Sequence, residues 1–103
     1  LAYRIPIING SLIDLTVRVK KNTSYQNIMD CIKTNNLNKT IMVSEDPIVS
    51  CDVIRNSCSC IVDEKAGIEL NENFYKIVAW YDNEYGYSCR LIDMILYMNS
   101  KNN

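Results

Sequence analysis

The strongest constraint on this chain is a strand that passes into a helix with almost no loop between them. Tyr75 to Asp82 reads Tyr-Lys-Ile-Val-Ala-Trp-Tyr-Asp. The run is rich in aromatic and β-branched side chains, which suit the half-buried, pleated surface of a sheet. Asp82, Asn83 and Glu84 follow at once. Asp and Asn are natural helix N-caps because their side-chain oxygens accept from the free N–H groups of a first turn. A Glu beside them suits the positive end of the helix dipole. Cys89, Ile92, Leu96 and Asn99 then keep near-helical spacing, and Leu91, Ile95 and Met98 widen the apolar stripe. The spacing predicts a helix that runs to Ser100 or close to it. Such a junction places polar side chains at a sheet edge, where ligand sites are often built.

The rest of the chain supplies a sheet for this strand. Between Ser11 and Lys20, Leu15, Val17 and Val19 alternate with Asp14, Thr16, Arg18 and Lys20. A period of two marks a strand with one wet face. Thr23-Ser24-Tyr25-Gln26 matches a helix capping box. Tyr25, Ile28, Met29 and Ile32 follow as one apolar stripe, and the Asn-rich stretch Thr34 to Asn38 ends that helix. Ile41 to Ser44 is a short strand, and Ile48 to Val53, after Pro47, is a weaker one. Cys58 to Asp63 and Gly67 to Asn71 are two further strands. No repeat or linker divides the chain, so residues 1–103 are read as one unit. Strands, a helix, more strands and a terminal helix predict an α+β fold. Its expected form is part of a mixed or antiparallel sheet, one face covered by helices, ending in a long C-terminal helix.

Composition narrows the function classes. The hydrophobic fraction is 48%, enough for a core, and the net charge is −1, from 11 basic and 12 acidic residues. That balance offers neither nucleic acid nor an anionic membrane an electrostatic attraction. No stretch approaches the roughly 18 consecutive apolar residues of a membrane span. The chain starts at Leu1 without an initiator Met or a signal-peptide pattern, so it is expected to have been cut from something longer. Its five cysteines, an odd number, are expected to be reduced thiols in a cytosol-like compartment. Cys58-Ser59-Cys60 resembles half a metal site, but with no His and no second close pair the expected metal is none. Asn9-Gly10-Ser11, Asn22-Thr23-Ser24 and Asn38-Lys39-Thr40 fit the glycosylation pattern, as chance allows in an Asn-rich chain.

The residues of this chain do not describe a complete active site. There is no glycine-rich dinucleotide fingerprint and no P-loop; the three Gly are scattered. With no His, the commonest general base near neutral pH is missing. No Cys has an evident activator. Two places stand out. Arg4, just before Pro6, offers a planar charged fork suited to phosphate or carboxylate, although a surface arginine at a strand start explains it more simply. Trp80 to Ser88 joins three tyrosines and an amide that could hold a planar, amide-bearing ring. Core aromatics and ordinary capping explain that pattern equally well.

Those residues carry a resemblance. Trp80-Tyr81-Asp82-Asn83-Glu84, then Tyr85, then Gly86-Tyr87-Ser88, resembles the hallmark stretch near the end of the phosphorylating glyceraldehyde-3-phosphate dehydrogenases. Arg4-Ile5-Pro6 and Asn9-Gly10-Ser11-Leu12-Ile13-Asp14-Leu15-Thr16 are similar to the family's Arg-Val-Pro and Asn-x-Ser-Val-Val-Asp-Leu-Thr. Ser44-Glu45-Asp46, Val49-Ser50-Cys51-Asp52 and Asp63-Glu64-Lys65-Ala66-Gly67-Ile68 fall in the family's order and spacing. The resemblance covers essentially the whole chain.

It implies that residues 1–103 are the C-terminal part of the catalytic domain, with the nucleotide-binding domain absent from this chain. The parent is then an oxidoreductase of glycolysis. It oxidises glyceraldehyde 3-phosphate with NAD and inorganic phosphate to 1,3-bisphosphoglycerate, as a cytoplasmic homo-tetramer with no nucleic-acid or membrane partner. NADP is not excluded as cofactor, since the preference is set in the missing domain. The family's nucleophilic cysteine and its histidine lie ahead of the part of the family sequence that this chain matches. None of the five Cys matches the nucleophile's motif, so no catalytic residue is expected in this chain. The chain alone is expected to be inactive. Arg4 matches the arginine that binds a substrate or inorganic phosphate. Asn83 matches the asparagine that hydrogen-bonds the nicotinamide carboxamide. Tyr87 matches an aromatic beside the nicotinamide, and Tyr81 one lining the catalytic pocket. The chain departs from the family pattern where Cys58 stands for a His, Lys39 and Met42 for glycines, and Val43 for a Tyr. The alternative expectation is a non-catalytic binding or assembly module derived from this family.

Overall fold

The structure is a computed structural model that describes residues 2–36 and 39–101. In chain order the elements are β1 (Ser11–Arg18), α1 (Tyr25–Thr34), β2 (Ile41–Ser44), a short 3-10 helix (Ser50–Val53), β3 (Cys60–Asn71), β4 (Phe74–Tyr81) and α2 (Tyr85–Lys101). The strands form one four-stranded sheet in the order β1-β4-β3-β2. β4 pairs antiparallel with β1 on one side, from Ser11 opposite Tyr81 to Arg18 opposite Phe74, and antiparallel with β3 on the other. β2 runs parallel to β3, with Ile41 opposite Cys60. The expected α+β class, mixed sheet and long terminal helix are therefore all present.

Alternation along the strands decides which residues meet α1. Val62 and Ala79 turn to one face and pack with Met29, and Ile41, Val43, Cys60 and Ile77 join them. The α1 stripe of Tyr25, Ile28 and Ile32 covers this cluster. On the other face Ile61 lies opposite Trp80. Ile61 is buried there, and the 3-10 helix, with its fully buried Val53, packs against β4.

Local chemistry moved several element boundaries. The N-cap of α1 is Ser24, whose Oγ accepts from Asn27 N at 3.2 Å, so the cap lies one residue beyond Thr23 and Gln26 closes no box. Gln26 instead reaches along the helix to Asp30. Asn35 closes α1 by donating to the Cys31 carbonyl from both its backbone and side-chain nitrogens. Residues 37 and 38 of the stretch expected to end the helix, including the sequon Asn38, lie outside the described residues.

Ile48 to Val53 is not a strand. Asp52 closes a turn on Val49, its carboxylate accepting from Val49 N at 2.9 Å while its own N–H donates to Val49 O at 3.0 Å. Local side-chain bonding of this kind competes directly with a ladder. The two strands expected at Cys58–Asp63 and Gly67–Asn71 are one, β3, interrupted by a bulge. There Asp63 Oδ1 accepts from Lys65 N and Ala66 N, and the register with β4 shifts between Asp63 and Ile68.

Lys39 adopts φ 51°, the left-handed region that disfavours a side chain with a Cβ. It is one of the two positions where the resemblance implies a glycine. α2 begins at the end of β4 and leaves the sheet behind. Gly86 is its buried residue, while Ile92, Ile95 and Leu96 are all exposed.

Candidate cofactor-binding site

The site grows from Asp82, the residue that ends β4. Asp82 is only 5% exposed, and its carboxylate accepts four hydrogen bonds. Oδ1 takes the N–H groups of Glu84 and Tyr85, at 2.8 and 2.7 Å, which caps the first turn of α2. Oδ2 takes Arg55 N and Asn9 Nδ2, both at 2.9 Å. Arg55 reaches it from a left-handed conformation, φ 61°. These bonds, that from Tyr85 N first and then those from Arg55 and Glu84, hold the carboxyl at about 2, below its ordinary 3.8. Asp82 is therefore an ionised structural hub and not a proton acceptor.

The segment before β1 completes the junction. Gly10, at φ 105°, lets the chain fold back so that Asn9 Oδ1 accepts from Gly10 N at 2.6 Å and from Asn83 N at 3.2 Å. One residue later, Ser11 Oγ donates to Asn83 Oδ1 at 2.5 Å. On the other side, Gly86 lies against the Cys58 backbone so closely that a Cβ there would overlap the Cys58 carbonyl oxygen. Arg90 bridges the same gap, its Nη1 donating to Ser59 Oγ at 3.3 Å while Nε bonds Asp93 at 2.8 Å.

Between these groups lies an open depression of ≈ 330 Å³ lined by Ser59, Tyr81, Asp82, Asn83, Tyr87 and Arg90. Three of the residues singled out from sequence, Tyr81, Asn83 and Tyr87, share it. Arg4 is exposed in the segment ahead of β1 and is not among them. Asn9, Ser11, Ser59 and Arg90 were not singled out. Each meets its partner here across a long stretch of chain, as Asn9 does Asp82, 73 residues away, and no local pattern signals such contacts.

The lining groups can bind and orient. The Asp82 carboxylate is saturated by backbone and amide donors. Arg90 is engaged with Ser59 and Asp93. The five cysteines are free thiols outside the lining, and burial pushes that of Cys60 up. Among the described residues no three of His, Cys, Asp and Glu come together in a way that could hold a metal ion, and no helix is long and apolar enough to cross a membrane.

Comparison with known proteins places the chain. The family model "Glyceraldehyde 3-phosphate dehydrogenase, C-terminal domain" matches residues 1–83. A cytosolic glyceraldehyde-3-phosphate dehydrogenase of Nicotiana tabacum is 47% identical over 97% of the chain, and that of Antirrhinum majus is 45% identical over the same share. A testis-specific glyceraldehyde-3-phosphate dehydrogenase of Mus musculus is 47% identical over 98%. The chain spans 32%, 31% and 24% of these three relatives. With a family model covering most of its length and relatives that align almost end to end with it, the chain belongs to the glyceraldehyde-3-phosphate dehydrogenase family, as a C-terminal-domain sequence.

Proposed function

We propose that residues 1–103 form the C-terminal part of the catalytic domain of a phosphorylating, NAD-dependent glyceraldehyde-3-phosphate dehydrogenase. The parent oxidises glyceraldehyde 3-phosphate with inorganic phosphate to 1,3-bisphosphoglycerate, as a homo-tetramer in the cytoplasm. The family match and the word "cytosolic" in the names of the two plant relatives support this reading.

The observation that carries it is the amide of Asn83 at the rim of an aromatic depression. Its oxygen is engaged by Ser11, and its nitrogen has no partner among the described residues. Tyr81 and Tyr87 line the same depression. An amide donor beside aromatic rings fits the nicotinamide end of the cofactor, a planar ring bearing a carboxamide. When bound, the cofactor supplies the hydride acceptor. The role of this chain is to hold the ring's amide so that one face is presented, which is positioning and not bond-making. Arg4, exposed and permanently charged, is assigned to a phosphate of the substrate or to inorganic phosphate.

The test is NAD reduction by the complete gene product supplied with glyceraldehyde 3-phosphate and phosphate, beside the 103-residue chain alone. The complete product turns over, the chain alone does not, and Arg4→Ala raises the KM for substrate or phosphate. Turnover by the chain alone, or an unchanged KM in Arg4→Ala, contradicts the assignment. The engagement of Asp82 and Arg90 in structural bonds favours a second reading, a non-catalytic binding or assembly module, for any form of this chain that acts by itself.

A further inference from the structure

Asn83 is exposed, and an exposed amide ordinarily turns with little restraint about its last torsion. Two residues at the entrance to β1 hold Asn83, one by its backbone and the other by the amide itself. Asn9 Oδ1 holds the Asn83 backbone N–H at 3.2 Å, and Ser11 Oγ sits 2.5 Å from Asn83 Oδ1. The atom facing Ser11 is the amide oxygen, which can only accept, so the hydroxyl is the donor. Ser11 is itself held in place, since it lies opposite Tyr81 in the β1–β4 ladder. Because the amide is planar, fixing its oxygen also fixes its nitrogen.

We propose that Ser11 is a positioning residue, whose hydroxyl engages the Asn83 oxygen and so commits Asn83 Nδ2 to donate to a carbonyl oxygen on the ring that enters the depression. This rests on the cofactor reading above and adds to it a direction. The site selects the acceptor end of the carboxamide and makes no use of its NH2 group. Ser11 acts only through Asn83.

Equilibrium binding of NAD to the complete gene product, followed by titration calorimetry without substrate, tests this independently of turnover. Losing one hydrogen bond corresponds to a weakening of about two- to twelvefold. Asn83→Ala and Ser11→Ala each weaken binding by such a factor, and Ser11→Thr, which keeps the hydroxyl, restores it. Ser11→Ala adds nothing further in an Asn83→Ala background. Asn83→Asp, which exchanges the donor for a second acceptor, binds no better than Asn83→Ala. Wild-type affinity in Asn83→Asp would overturn the proposed direction. Wild-type affinity in Ser11→Ala, with Asn83→Ala weakened, would remove Ser11 from the site and leave the cofactor reading standing. Unchanged affinity in Asn83→Ala would remove the cofactor reading itself. A Ser11→Ala loss that persists in the Asn83→Ala background would reveal a general structural defect and refute action through Asn83.

Discussion

Replacing Gly86 by alanine adds one methyl group where the chain has no room for it. Gly86 lies in the first turn of α2 and is buried against the Cys58 backbone. The added Cβ meets a carbonyl oxygen and not the end of a mobile side chain, so either α2 or the segment leading into β3 must move. Overpacking of this kind costs about 1–3 kcal/mol. Alanine recovers up to about 1 kcal/mol through its better helix propensity. Because the added atom meets backbone, the overpacking cost falls in the upper part of its range, about 2–3 kcal/mol, and after a full helix gain of about 1 kcal/mol the net loss is about 1–2 kcal/mol. At about 4–8 °C per kcal/mol for a domain of this size, the Tm of the purified chain falls by about 4–16 °C. Circular dichroism melting and urea denaturation measure it. Ser88→Ala, at an exposed site two residues further along α2, is the control and stays within about 0.5 kcal/mol. The Arg90–Ser59 bond crosses the same gap and is lost when it widens. A Tm for Gly86→Ala equal to or above wild type would refute the close approach on which the depression depends.

Other perturbations follow from the same structure. Lys39→Gly relieves a left-handed residue. The relief of about 1–2 kcal/mol exceeds the extra chain entropy of glycine, about 0.5–1 kcal/mol, so the midpoint in urea rises slightly; a fall would contradict the conformation at Lys39. Met29→Ala empties the centre of the α1–sheet core and costs about 2–5 kcal/mol in the same assay. The Asp82 carboxyl has its pKa depressed in the folded state, so its stabilisation is complete above its ordinary 3.8 and is lost as pH falls through about 2. The stability gap between wild type and Asp82→Asn therefore narrows over that window; a gap independent of pH would show that the carboxylate is not the hub.

The junction from β4 into α2 was legible because everything it needs is contiguous. β-favouring residues from Tyr75, capping groups from Asp82 and a helical stripe beyond them lie within one stretch. The alternation in β1 and the stripe of α1 were readable for the same reason. Ile48–Val53 misled because its hydrophobicity suits a strand while Asp52 closes a turn on Val49. β3 looked like two strands because Asp63 gathers the Lys65 and Ala66 N–H groups into a bulge, leaving a gap in the pattern. The distant partners of Asp82 and Asn83 were invisible for a different reason. Asn9 and Ser11 sit more than 70 residues away in sequence and become neighbours only through the β1–β4 pairing. Periodicity also marked the apolar stripe of α2 without marking what covers it; in the structure Ile92, Ile95 and Leu96 remain exposed.

The proposed cofactor role assigns the nicotinamide amide to Asn83. Its most direct measurement is steady-state NAD reduction by the complete gene product, wild type beside Asn83→Ala, at saturating glyceraldehyde 3-phosphate and phosphate. With one hydrogen bond to the carboxamide removed, kcat/KM for NAD falls by at least the two- to twelvefold that corresponds to about 0.5–1.5 kcal/mol, while the melting temperature is retained. A kcat/KM for NAD equal to wild type in a folded Asn83→Ala protein would contradict it.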